Sequence, residues 1–199
     1  MKKRIAFAAA GALALGWTAR VYALNDTLAV HDPVQTQWFG MNESVSLDDC
    51  KCYGGEDQSG YAIAVDACRI VDAADYLAEL GRSPEEFEML PERYLELTLD
   101  IENHGSDAPG INFFSLPVMS GSWYTFFDAN ATAYANPFFE GQYEAYGVAV
   151  EEQTNAAVKV VYRLYEFQFP EKQWEHLEDE NMELWLTVEP VFKKIQLQF

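Results

Sequence analysis

Between Tyr94 and Glu102 the chain alternates apolar and polar residues without a break. Leu95, Leu97, Leu99 and Ile101 share one parity; Tyr94, Glu96, Thr98, Asp100 and Glu102 share the other. A period of two puts successive side chains on opposite faces of a strand, whereas a helix would scatter these aliphatics around its axis. The pattern predicts a strand with one dry and one wet face, ended by the turn-forming run Asn103-His104-Gly105-Ser106-Asp107. On the dry face Leu97→Ala is expected to cost about 2–5 kcal/mol. On the wet face Glu96→Ala is expected to cost under about 0.5 kcal/mol. One strand cannot bury a face alone, so the rest of the chain must supply an opposing sheet.

Further β-type runs flank it. Val45 and Leu47 alternate with polar residues in a short strand. Tyr61 to Val71 reads as a strand whose apolar parity switches near Asp66-Ala67, which predicts a bulge. Ile111 to Val118 and Ser122 to Phe127 read as two strands joined at Met119-Ser120-Gly121. Ala157 to Phe169 is apolar on both parities, as in a strand buried on both sides. Met182, Leu184, Leu186 and Val188 alternate with polar neighbours up to Pro190. Val191 to Phe199 closes the chain, with Lys193-Lys194 expected to guard a sheet edge. Trp38-Phe39 can tuck an N-terminal strand against a sheet.

Asp72 to Leu90 breaks this pattern. Ala73, Leu77 and Leu80 recur at helical spacing, with Asp72 as N-cap and Gly81 just past the end. Ser83-Pro84-Glu85-Glu86 is a second helix start. The segment 128–147 has no clear pattern, and Glu171 to Leu177 suits one helical turn. Many short strands with one helical insertion near 72–90 predict a mainly β fold, an immunoglobulin-like β-sandwich.

The N-terminus follows another logic. Basic Met1-Lys2-Lys3-Arg4, apolar Ile5 to Trp17 and the small residues of Val21-Tyr22-Ala23 match a signal peptide cleaved after Ala23. The apolar run is shorter than the ~20 residues that span a bilayer, and no run of spanning length follows. The expected organisation is a signal peptide over 1–23 and a single β-sandwich domain over 24–199, secreted or cell-surface associated. Cleavage removes four of the 13 basic residues and none of the 32 acidic ones, so the mature chain is more negative than the −19 of the whole. A field of that sign repels nucleic acid.

The run R-Y-L-E-L-T-L-D-I-E-N-H-G, following G-Y-A-I-A-V-D-A-C-R-I-V-D, resembles the central strands of immunoglobulin-like, telokin-like ectodomains exported by Gram-positive bacteria. V-Y-R-L-Y-E-F-Q-F-P and L-W-L-T-V-E-P-V-F-K-K-I-Q-L are similar to their closing strands. The resemblance, over 42–199, implies an extracellular β-sandwich and carries over no catalytic residue. Many such proteins are lipoproteins, and this chain has no cysteine after its apolar run until Cys50.

Candidate chemistry is sparse. Cys50, Cys52 and Cys68 lie in a chain expected to be exported, which favours one structural disulfide from Cys68 to Cys50 or Cys52. A closed zinc site needs four ligands, and no histidine lies near these cysteines in sequence. His31, His104 and His176 are scattered, and no Gly-x-Ser-x-Gly elbow is present. Asp48-Asp49 and Glu178-Asp179-Glu180 lack the spacing of a calcium loop and read as solvated surface. Asn42-Glu43-Ser44 and Asn130-Ala131-Thr132 fit the glycosylation triplet. No catalytic, cofactor or metal residue is expected. Aromatics are the remaining feature, crowding between 113 and 146. Trp123, Tyr124, Tyr134, Phe138, Tyr143 and Tyr146 are the binding-surface candidates, set against the expectation that such rings fill the core. The leading functional expectation is a non-enzymatic extracellular binding or interaction module for a protein or carbohydrate ligand. The rivals are a secreted hydrolase with a carboxylate or histidine site, and a structural surface protein.

Overall fold

The computed structural model describes Arg20, 34–87, 89–106, 108–121, 123–142 and 144–199. The chain divides into two units, Met1–Val34 and Gln35–Phe199, and the fold is that of the second. Apart from Arg20, the expected signal peptide lies outside the described residues, as does His31.

Residues 94–102 form the centre of β4 (Arg93–Asn103), with Leu95, Leu97, Leu99 and Ile101 fully buried on the predicted dry face. On one side β4 pairs antiparallel with β3 (Tyr61–Asp72), whose register shifts between Val65 and Ala67 where the parity switch predicted a bulge. On the other side it pairs antiparallel with β9 (Thr154–Leu164). With β2 (Val45–Ser46) these make a sheet of order β2-β3-β4-β9. The opposing sheet has the order β1-β11-β10-β6-β7. Its members are Gln35–Phe39 (β1), Val118–Ser120 (β6), Trp123–Thr125 (β7), Glu183–Trp185 (β10) and Val191–Gln196 (β11). A short pair, β5 (Ile111–Asn112) with β8 (Gly147–Val148), lies beside them. The chain passes between the sheets after β1, after β4, after β7 and after β9. Leucines and valines of β4 and β9 meet Val118, Leu184 and Ile195 in one apolar cluster. This is a mainly β sandwich. Among the described residues no helix is long and apolar enough to cross a membrane.

The wet face of β4 is only half wet. Helix α1 (Ala73–Glu79) is capped by Asp72, whose carboxylate accepts from the Ala74 amide at 2.9 Å, and it ends at Gly81 with φ +68°. It packs onto the outer face of the four-stranded sheet. Helix α2 (Ala129–Ala135), in the segment without clear pattern, covers the same face. Ala73, Tyr76, Leu77, Tyr94, Ala131, Ala135 and Val161 form a second apolar cluster there. Tyr94 is therefore fully buried and Glu96 is 6 % exposed, against the expectation that both face water; Thr98, Asp100 and Glu102, beyond the helices, remain half-exposed. Glu96 accepts from Arg69 Nε at 2.9 Å and from the Tyr76 hydroxyl at 2.6 Å, with Lys159 Nζ at 3.3 Å. Burial alone would raise its pKa, but these partners hold the carboxyl below its ordinary value.

The α2 segment also closes the outer edge of β9. The Asn136 side chain accepts from the Lys159 amide at 2.8 Å and donates to the Lys159 carbonyl at 2.7 Å, acting as a one-residue strand. Thr132 accepts from the Val161 amide, and Asp128 N donates to the Val161 carbonyl. An exposed ladder edge is thereby covered.

Other expectations change. Ile111 to Val118 is not one strand. Asn112 accepts from the Phe114 amide and starts a single 3-10 turn, Phe113–Ser115, that separates β5 from β6. The strand expected over 122–127 is confined to β7, after which Phe127 bridges to Tyr162 of the other sheet. The long run 157–169 leaves the sheet at Leu164 and turns through Glu166–Gln168. The run from Met182 to Val188 keeps sheet pairing only at β10.

Lys193 and Lys194 do not guard an edge, because β1 adds in parallel outside β11. Lys193 donates to the Ser46 carbonyl at 2.6 Å. Lys194 lies over Trp38, Trp185 and Phe192 and pairs with Glu183 at 2.9 Å. The rings and carboxylate replace the water that an edge lysine would keep.

Candidate functional site

The cysteines are three free thiols. Cys52, fully buried near the Tyr61 end of β3, donates to Gln58 Oε1 at 3.3 Å. Burial, with nearby Glu56, pushes its thiol up to about 12. Cys68 sits seven residues further along β3 and donates to the Gln198 carbonyl at 3.1 Å. Seven residues at ~3.3 Å each exceed the reach of a disulfide. The expected bridge from Cys68 to Cys52 or Cys50 is not formed in the structure: Cys68 lies past the bulge of β3, with its thiol on the Gln198 carbonyl.

Among the described residues the histidines do not build a relay. His104 Nε2 lies 3.0 Å from Glu102 Oε2, and Ser44 Oγ donates to Glu102 Oε1 at 3.1 Å. In a hydrolytic triad the imidazole stands between nucleophile and acid, so that it can take the nucleophile's proton. Here the carboxylate stands between, and His104 is exposed. His176 and Asp179, 3.9 Å apart, are exposed too. Among the described residues no group of three or more His, Cys, Asp or Glu is placed to hold a metal. Asp48 is engaged internally: its carboxylate accepts from the Gly60 amide at 2.7 Å, which lowers its pKa.

The aromatics behave differently. Where β7 ends, Tyr124 points outward, Phe126 packs against it at 5.5 Å, and Tyr53 approaches Phe126 at 5.8 Å. Past the end of β9, Tyr165 and Phe167 stack at 5.3 Å and an interplanar angle of 29°. The Gln168 side chain accepts from the Tyr165 amide at 3.1 Å and fixes that turn. Thr125 Oγ1 donates to the Arg163 carbonyl at 2.6 Å and ties the two segments together. Between them runs a cleft of about 610 Å³, with Trp123, Thr125 and Arg163 among its lining and Met89 at its rim. An adjoining cleft of about 500 Å³ shares Met89 and Arg163 and adds Phe114, Tyr134 and Tyr146. Phe114 and Tyr146 lie nearly parallel, 5.9 Å apart, with Phe127 edge-on to both. Phe167 is 81 % exposed, Met89 66 %, Tyr124 55 % and Phe114 51 %. Contiguous exposed aromatics of this kind mark interaction surfaces, and both volumes suit small-ligand sites of ~300–1,000 Å³.

The sequence candidates divide accordingly. Tyr124 and Tyr146 lie in the clefts, as expected. Tyr134 is half-buried in the second cleft, beneath the Arg82 guanidinium at 3.9 Å from its ring. Trp123 is 8 % exposed and packs against Phe169 at 4.5 Å, so it is cleft floor rather than exposed surface. Phe138 is exposed but packs on Phe139, outside both clefts. Tyr143 lies outside the described residues. Tyr165, Phe167 and Met89 were missed. Tyr165-Glu166-Phe167-Gln168-Phe169 keeps strand-like alternation, and its only sequence signal of departure is the following Pro170.

A mainly β sandwich whose lateral margin carries aromatic clefts is the class of protein defined here. The chain belongs to the family described as a domain of unknown function (DUF5028), which matches residues 36–193. No curated protein and no solved structure matches it.

Proposed function

We propose that this chain is an extracellular, non-enzymatic binding or interaction module, secreted or associated with the surface of a bacterium, and that the paired aromatic clefts beside β7 are its binding surface. The observation that carries this reading is the exposure of Phe167, Tyr124, Met89 and Phe114 on adjoining clefts. Apolar rings left in water at one margin of a molecule with a complete core elsewhere favour a ligand that covers them. The basic n-region and apolar run before Ala23 support export. The stacked sheets with crossing connections support the likeness to immunoglobulin-like, telokin-like ectodomains. Among the described residues the hydrolase reading has the Ser44–Glu102–His104 contact behind it, with its carboxylate in the wrong place.

The test compares wild type with a Tyr124→Ala/Phe167→Ala double variant on peptide arrays and on immobilised polysaccharides. Both substitutions are at exposed rings, so the fold is expected to persist. Retention by wild type and loss by the variant is the expected result; equal behaviour on every support removes the surface from consideration. N-terminal sequencing of exported protein is expected to begin at Leu24, and an intact Met1 would contradict cleavage.

A further inference from the structure

The larger cleft holds two anomalies. Trp123 Nε1 and the Tyr165 hydroxyl are buried and have no hydrogen-bond partner among the described residues. Other buried aromatic polar atoms in this fold are satisfied: Tyr76 donates to Glu96, and Tyr162 donates to the Leu116 carbonyl at 2.8 Å. Buried polar groups are paired in the great majority of cases, and one left unpaired costs about 1–3 kcal/mol. Two such donors, contributed by two residues lining one cleft, point to a ligand that accepts hydrogen bonds there.

The rest of the lining narrows the ligand's chemistry. In a chain with 32 acidic residues, no carboxylate lines this cleft among the described residues. The one charged group of its described lining, Arg163, has Asp128 at 4.0 Å as a counter-charge, so this lining does not demand an anion. Trp123 can only donate. The Gln168 carbonyl oxygen is already occupied by the Tyr165 amide. A bound peptide would bring an N–H donor for nearly every carbonyl acceptor, whereas beside Gln168 the side-chain acceptors of the described lining are the hydroxyls of Tyr124, Thr125 and Tyr165. A sugar hydroxyl accepts from a protein donor while turning its own hydrogen to solvent, and a pyranose ring presents flat C–H faces to aromatic rings.

We propose that this cleft binds a neutral saccharide, with Tyr124 and Phe167 as ring platforms and Trp123 Nε1 and the Tyr165 hydroxyl donating to sugar oxygens. The inference rests on the binding-module reading and names its ligand class. Both donors are closed from solvent in the free protein, so binding includes a side-chain turn of the kind common at interfaces.

The experiment is native affinity electrophoresis of the protein in gels holding mannan, galactomannan, laminarin, hydroxyethylcellulose, dextran or soluble starch, with an empty gel as reference. At least one polysaccharide is expected to retard wild type. Tyr165→Phe and Trp123→Phe each remove one donor and keep a ring. Each is expected to weaken retardation about tenfold, the worth of one hydrogen bond. Tyr165→Phe, which keeps its ring and loses a group unpaired among the described residues, is expected to leave the melting temperature unchanged or raised, whereas Trp123→Phe also shrinks a side chain packed on Phe169 and is expected to lower it. For Tyr165→Phe a purely structural role would move both readouts the other way, with a lower melting temperature and undiminished retardation, and would overturn the proposal, as would undiminished retardation of both variants. Retardation by none of the six also overturns it. Peptide-array binding lost in the Tyr124→Ala/Phe167→Ala variant would then leave the binding module standing with a different ligand. Absence of both removes the two together.

Discussion

Tyr76, on a helix inserted between two strands, donates its hydroxyl to Glu96 at the centre of the four-stranded sheet at 2.6 Å. Arg69 reaches the same carboxylate from the neighbouring strand and is itself paired with Glu79 of the helix at 2.9 Å. The contact anchors the insertion to the sheet. Burial and the bond to Glu96 push the Tyr76 phenol up, so it remains a donor across the physiological range.

Glu96→Ala is therefore expected to destabilise by about 2 kcal/mol, the scale of hydrogen bonds to a charged group, since it leaves Tyr76 unpaired in an apolar cluster. Arg69 and Lys159 are partly exposed and regain water, which limits the loss. Urea unfolding checks it, and a cost below ~0.5 kcal/mol would restore the wet-face reading.

The same carboxylate predicts a pH dependence. Its folded-state pKa lies below its ordinary 4.5. Its contribution is complete above pH 4.5 and is lost as pH falls through the depressed folded-state value. Wild type minus Glu96→Gln stability is expected to be flat from pH 8 to pH 5 and to shrink below pH 4.5. A difference that grows on acidification would contradict the depressed pKa.

Leu97→Ala removes a fully buried side chain between the sheets. It is expected to cost about 2–5 kcal/mol in denaturant unfolding, as large-to-small core changes do. The cost of Leu99→Ala is expected in the same range, whereas Phe167→Ala at the cleft rim is expected to leave stability within ~0.5 kcal/mol.

Gly60 has φ +86°, and a Cβ there would stand 2.7 Å from the Ser106 backbone. Gly60→Ala combines a left-handed backbone penalty with a collision against main chain, about 2–4 kcal/mol. A melting temperature equal to wild type would show that the turn relaxes.

Thiol chemistry provides a separate check. With all three cysteines free, denatured protein is expected to take up three equivalents of alkylating reagent without reductant. In the native protein Cys52, fully buried and with its thiol pushed up to about 12, is expected to react last, at a rate set by unfolding. Fewer than three equivalents in the denatured protein would reinstate a bridge.

The sequence by itself determined the strand at 94–102, the bulge near Asp66, the helix capped by Asp72 and the two-sheet plan. Each is written in local periodicity or local hydrogen-bond chemistry, and each holds within a few neighbouring residues. What lay outside that reach was decided by tertiary contact. Glu96 reads as a solvated residue on alternation alone, and only the docking of α1 and α2 makes it the buried centre of an ion cluster. Lys193-Lys194 reads as an edge until β1 adds beyond it. Tyr165 and Phe167 continue an alternating pattern, yet the sheet ends at Leu164 and turns them into a cleft wall beside Tyr124. Periodicity specifies which face of an element a side chain takes. What covers that face is set by elements distant in sequence, and the candidate binding surface is made of those coverings and their gaps.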